Sequence, residues 1–193
     1  MSLKEQKVAS RKQLLENKLI VLRCRRGEEP AFEELIDRWE RPLFYYIRRL
    51  VDSEEEAWDV LQDTWLSVIR GIRQLREPAA LPAWLYRIAR NTAVSHLRKT
   101  PRFESLSTDE GEEDVPDDTP NVAVSELQAE DVHRALRTLS LPHREVLTLR
   151  FLEDFSLAEI GEITGAPLGT VKSRLFHAKR ALREAVETGG GKR

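Results

Sequence analysis

The segment "GTVKSRLFHAKRAL", residues 169–182, carries the side-chain types and spacing of a nucleic-acid reader. Val171, Leu175, Ala178 and Leu182 recur at i, i+4, i+7 and i+11, a stripe that predicts the buried side of one helix. Lys172, Ser173, Phe176, His177, Lys179 and Arg180 are then expected to face outward. Groups near the start of such a helix can reach base edges in a major groove, where a phenylalanine can also meet a thymine methyl. Lys179, Arg180 and Arg183 lie further along, placed for phosphates, and Arg174 adds to the same positive charge.

A second constellation is "PAWLYRIARNTAVSHLRK", residues 82–99. Leu85, Ile88, Thr92 and either Ser95 or His96 have the spacing of an inward stripe, leaving Arg87, Asn91 and Arg98 on a different face. Tyr86 and Arg90 lie beside that face. Aromatic rings interleaved with arginines can stack on unpaired bases while neutralising the phosphates between them. Trp84 fits either this surface or the core beneath it.

The charge distribution sets these two segments apart. The 193-residue chain has a formal net charge of −2, yet residues 104–120, "ESLSTDEGEEDVPDDTP", hold eight acids and no Lys or Arg. Setting those eight aside leaves the rest of the chain at +6. Residues 78–103 and 163–183 contain no acid, and the acidic segment lies between them. Two basic surfaces joined by an acidic tether suit two contacts with a polyanion. The single cysteine, Cys24, cannot form an intrachain disulfide, and neither a signal-peptide run nor a stretch of membrane-spanning length occurs. These features point to the cytoplasm and to no membrane insertion.

The elements that must position these groups are helices. Pro30 opens one, with Phe32, Leu35, Ile36 and Trp39 at helical spacing, and "PLFYYIRRLV", residues 42–51, reads as a second. Ser53 and Glu56 form a capping box, after which Ala57, Val60, Leu61, Thr64, Trp65, Val68 and Ile69 make an apolar stripe that Gly71 can end. The 76–82 loop leads to a fourth helix over roughly 83–99. Residues 100–122, with Pro, Gly, Ser and dense like charge, read as a linker. Beyond it come helices over about 124–139 and from Pro142 to about Leu152. Ser156 and Glu159 then cap a further helix, which Phe155 can staple onto Ile160. Gly165 suits a left-handed cap and Pro167 the first turn of the last helix. Helix, short glycine turn, helix is the spacing of a helix-turn-helix. The expected fold is all-α: two small helical domains joined by an acidic linker, the second holding the helix-turn-helix.

These motifs resemble those of bacterial RNA polymerase sigma factors of the extracytoplasmic-function group. "RGEEPAFEELIDRW" is similar to the start of sigma region two, "AWDVLQDTWLSVI" to its polymerase-binding helix and "WLYRIARNTAVSHLRK" to its promoter-melting helix. "LPHREVLTLRFLEDFSLAEIGEITGAPLGTVKSRLFHAKRALRE" resembles region four. The resemblance implies region two over 17–99, the linker over 100–122 and region four over 123–188, with an extension at 1–16 and a tail at 189–193. It also implies core RNA polymerase and promoter DNA as partners, duplex at the upstream element and unpaired at the downstream one. Trp84, Tyr86, Arg87, Arg90 and Asn91 fall on promoter-opening positions, with the 76–82 loop as a pocket for a flipped base. Lys172, Ser173, Phe176 and His177 fall on upstream-element contacts, and His177 stands where an arginine is common. Asp59, Gln62 and Asp63 match the polymerase-binding face, Asp63 replacing the usual glutamate. An anti-sigma protein is implied as a further partner.

An enzyme is poorly supported, because His96, His133, His143 and His177 are scattered and neither a metal-ligand cluster nor a Gly-rich phosphate loop occurs. No catalytic residue, metal or cofactor is expected. The competing reading is a stand-alone helix-turn-helix regulator with an N-terminal sensor or dimerisation domain. A protein-binding adaptor is a third.

Overall fold

In the computed structural model the described residues are 3–99 and 135–190, with side chains described for 12–99 and 135–186. The expected 100–122 linker and most of the expected 124–139 helix lie outside them. Among the described residues the regular elements are helices and strands are absent.

Four helices build the first domain: α1 (Leu3–Arg25), α2 (Glu29–Leu50), α3 (Glu54–Gly71) and α4 (Leu81–Leu97). The first runs straight across the expected boundary at residue 16. It is rich in good helix formers and anchored by Ile20, Val21 and Cys24, each at most 1% exposed. Arg38 reaches from α2 to Glu16 at 3.3 Å and to Asn17 Oδ1 at 3.4 Å, tying both sides of that boundary to one helix.

The two helices expected over 30–51 form one. Pro42 sits inside α2, where it forgoes one ladder bond, a cost of ~3 kcal/mol in an isolated helix. The apolar stripe continues past it without changing phase: Leu35 and Trp39 before, Leu43, Tyr46, Ile47 and Leu50 after, all buried. Burying four large side chains beyond the proline outweighs the lost bond.

Local signals decide the next boundaries. Glu56 N–H donates to Ser53 Oγ at 3.1 Å and Ser53 N–H donates to Glu56 Oε2 at 3.1 Å, a complete capping box. The third helix ends at Gly71, whose φ of −95° is ordinary. A Cβ there would lie 3.2 Å from Trp84 Cζ2, so the glycine lets the indole approach. Trp84 is partly buried against the core. Short 3-10 turns at Ile72–Gln74 and Pro78–Ala80 carry the chain to α4.

The second domain begins, among the described residues, at 135–137, which are helical. It continues through α5 (Leu141–Leu147), whose end winds into a π-turn at Thr148–Leu152. The remaining elements are α6 (Leu157–Thr164) and α7 (Leu168–Gly190). Glu159 N–H donates to Ser156 Oγ at 3.3 Å, and Ser156 N–H donates to Glu159 Oε2 at 2.9 Å. Gly165 adopts φ +72°, the left-handed cap that lets α7 leave at an angle. Pro167 precedes α7, and its carbonyl accepts from Val171 N–H at 3.0 Å. The two domains pack together, α4 against α6 and α2 against α5.

Candidate nucleic-acid interface

On α7 the inward side is occupied by Val171, Leu175, Ala178 and Leu182, all buried. Lys172 and Arg180 are exposed, with Arg183 one turn on, while Phe176 is half-buried. Two residues expected outward are not. Ser173 is 7% exposed, and Lys179 is 9% exposed with its ammonium 5.3 Å from the Phe151 ring centre. The lysine stem lies along the apolar surface, a common use of a long amphipathic side chain. Burial first, and then the Arg150 charge, lowers its pKa. His177 is also partly withdrawn: its ring stacks on His143 of α5, centroids 6.4 Å apart, and Phe176 meets its edge. Arg174 is partly buried and close enough to Glu145 of α5 to offset part of the rise that burial imposes on that carboxyl's pKa. The outward stripe is therefore Leu168, Gly169, Lys172, Phe176 and Arg180. The sequence pattern does not single out its first two members, which stand in the leading turn of the helix.

On α4, Arg87 and Asn91 are exposed, and Arg98, just past its end, is exposed on the same edge, as the spacing predicts. Ser95 is exposed as well; Leu85 is buried and Ile88 packs against the core as expected, and Leu81, Ala89, Ala93 and Leu97 complete the inward side. Tyr86 departs most from expectation. It is 2% exposed, its ring 5.0 Å from Tyr46 and 4.8 Å from Phe155, edge-on to the latter. Its hydroxyl donates to Glu153 in the second domain. Arg90 Nε likewise donates across the domain boundary, to Glu145 Oε1 at 3.0 Å. Phe155, the expected staple of α6, packs on Tyr86 of the first domain.

On α3, Asp59, Gln62 and Asp63 are all exposed. Among them lie Trp58, Leu66 and Ile69, 45–48% exposed, although Ile69 was expected in the buried stripe. The buried side takes only Ala57, Val60, Leu61, Thr64, Trp65 and Val68. Trp58 also stacks on Phe44 of α2 with centroids 4.3 Å apart.

Among the described residues the chain joins a helix-turn-helix in one domain to an arginine-edged helix in the other, an arrangement that suits the DNA-reading class. The Sigma-70 region 2 model matches residues 35–103 and the Sigma-70 region 4 model matches residues 129–182. The RNA polymerase sigma-H factor of Pseudomonas aeruginosa is 34% identical over 179 residues, covering 87% of this chain and 92% of its own. The ECF RNA polymerase sigma-E factor of Haemophilus influenzae is 32% identical over 183 residues, covering 90% and 96%. Among solved structures, RpoE of Bartonella quintana in complex with the anti-sigma factor NepR aligns with TM-score 0.64 at 26% identity, covering 81% of this chain and 96% of that one. CnrH in complex with the cytosolic domain of CnrY shares the fold, with TM-score 0.67 at 21% identity, covering 90% and 98%. The chain belongs to the sigma factors of the extracytoplasmic-function group.

Proposed function

We propose that this sigma factor works by three surfaces: α3 docks on core RNA polymerase, α7 reads the duplex upstream element, and the α4 edge holds the unpaired downstream strand. The observation that carries the reading is the coexistence, in one chain, of an exposed leading turn on α7 and an exposed Arg87–Asn91 edge on α4. The first suits a groove, and the second suits bases whose edges and faces are already unpaired. Trp84 and Arg90 flank that second surface, Tyr86, buried under Phe155 and bonded to Glu153, braces it from beneath, and the 76–82 turn is the pocket for a flipped base. Lys172, Ser173, Arg174, Phe176, His177, Lys179 and Arg180 supply the first, Lys172 and Phe176 toward bases and the rest toward phosphate or the helix's own seating.

The α3 face joins carboxylates to exposed Trp58, Leu66 and Ile69 on a helix held rigid from behind. Apolar side chains within a polar rim suit a protein partner better than bulk water. The RpoE neighbour was solved with an anti-sigma factor. For this chain too we take an anti-sigma protein to be the regulatory partner and the cytoplasm to be the site of action. The domain limits are 17–99 and 123–188, with 100–122 as linker; the protein is a binding factor, not an enzyme.

The test is reconstitution. Genomic fragments of the source organism are transcribed by core polymerase with and without the protein, and the transcript 5′ ends are mapped. New start sites preceded by a shared upstream motif support the proposal. Tight duplex binding without polymerase, and no new start sites, would favour the stand-alone regulator instead.

A further inference from the structure

The first helix carries apolar side chains on two opposite sides, and the fold covers one of them. Asn17, Ile20, Val21 and Cys24 are buried against the rest of the domain. On the other side Leu15, Leu19 and Leu22 are 46–58% exposed. At the helical repeat these three and Arg26 fall within roughly 60° of one another, a ridge along the outer side of α1. By the same count Lys12 and Lys18 flank the ridge on either side, and Arg26, exposed, closes its C-terminal end.

Charge narrows what can cover this ridge. Residues 1–26 hold eight Lys and Arg against Glu5 and Glu16, in a chain whose formal net charge is −2. Glu16 is turned toward cations of its own domain, 3.3 Å from Arg38 and 3.9 Å from Lys12. Lys12 nevertheless keeps 78% of its side chain exposed. Arg73, on the turn after α3, extends the basic end of the helix, its Nη2 3.6 Å from where a Cβ of Gly27 would stand. A second copy of the chain is a poor occupant, because ridge on ridge brings two helices of like charge together. A nucleic acid would meet the cations but leave the leucines in water. An anionic lipid surface satisfies both: the leucines enter between headgroups, while the long stems of Lys12, Lys18 and Arg26 carry their charges to the lipid phosphates.

We infer that α1 is a lipid-binding helix, its outer ridge lying side-on in the headgroup layer of an anionic bilayer with the rest of the protein behind it. No helix among the described residues is long and apolar enough to cross a membrane, so the contact is confined to the surface. Three leucines and a few cations make a reversible hold, since neither the apolar nor the electrostatic part suffices alone. Binding therefore needs both halves of the pattern and weakens with salt. The DNA and polymerase surfaces proposed above lie on α3, α4 and α7, so lipid binding by α1 stands or falls apart from them.

The experiment is flotation of the full-length protein with vesicles of equal parts phosphatidylglycerol and phosphatidylethanolamine, and with vesicles of phosphatidylcholine alone. The protein is expected to float with the anionic vesicles, to stay behind with the net-neutral ones, and to be released by raised salt. Leu15→Gln, Leu19→Gln and Leu22→Gln together are expected to abolish flotation while the melting midpoint is kept, because these side chains lie outside the core. Lys12→Gln and Lys18→Gln should each lower the partition coefficient about fivefold. Duplex DNA binding should match the parent in every variant, since α7 is untouched. Failure to float with the anionic vesicles, or equal flotation with both kinds, overturns the proposal. Flotation of the leucine variant at the parent's level overturns it as well. If sedimentation without lipid shows a dimer that Leu19→Glu dissolves, the ridge pairs with a second copy and the lipid assignment falls.

Discussion

On the proposed reading, Asn91 and Arg180 separate the two kinds of DNA contact at the level of single side chains. Asn91 is exposed on α4 and can bond to a base edge, so Asn91→Ala should cost about 1–3 kcal/mol of strand binding and relax sequence preference at one position. Arg180 is exposed on α7 and placed for phosphate; Arg180→Ala should weaken duplex binding and reduce the slope of log K against log salt by about one. Salt titrations of each variant against its own probe check both. Gly165 makes a cleaner test of the fold: its φ is +72° and a Cβ there would meet nothing within 4 Å. Gly165→Ala should therefore cost about 1–2 kcal/mol from backbone strain alone, read as a lower melting midpoint.

At the level of elements, legibility followed range. The Ser53 and Ser156 capping boxes, the Gly165 cap and the stripe of α7 are encoded within a few residues, and they were readable from the chain. Pro42 was misread because a local rule was applied where tertiary burial of Leu43, Tyr46, Ile47 and Leu50 decides. Ser173, Lys179 and Ile69 were misplaced because apolar spacing defines the centre of a stripe better than its edges. Glu145 and Glu153 gave no signal at all, since their partners lie 55 to 104 residues away and no period links them. For α3, Leu66→Asp should weaken binding to core polymerase while leaving far-ultraviolet circular dichroism unchanged, because Leu66 is 45% exposed and outside the core. An equilibrium pull-down at several concentrations measures it.

For the whole molecule, the packing of the two domains couples to protons. Burial raises the Glu145 carboxyl, with Arg90, Tyr46 and Arg174 pulling it back down. Burial likewise raises Glu153, opposed by Tyr86 and Arg49. A carboxyl that binds its proton more tightly in the packed form than in the melted one stabilises packing fully at low pH. That contribution is lost as pH rises through the raised values. The melting midpoint of the packed two-domain protein should therefore fall as pH rises through those raised values. A flat profile would mean that neither acid changes environment on melting. The acidic segment makes a separate prediction: replacing its eight acids by amides should raise DNA affinity of the protein alone, most at low salt. Unchanged affinity would leave the segment as a spacer.

The claim on which the account depends is that this chain gives core polymerase both a promoter and an opened strand. Permanganate reactivity of unpaired thymines measures it directly, on a promoter selected by the mapped start sites. With the intact protein and core polymerase, thymines around the start site should become reactive. With Asn91→Ala they should be less so, recovering on a template whose downstream element is already mismatched. Equal reactivity with and without the protein would contradict the account.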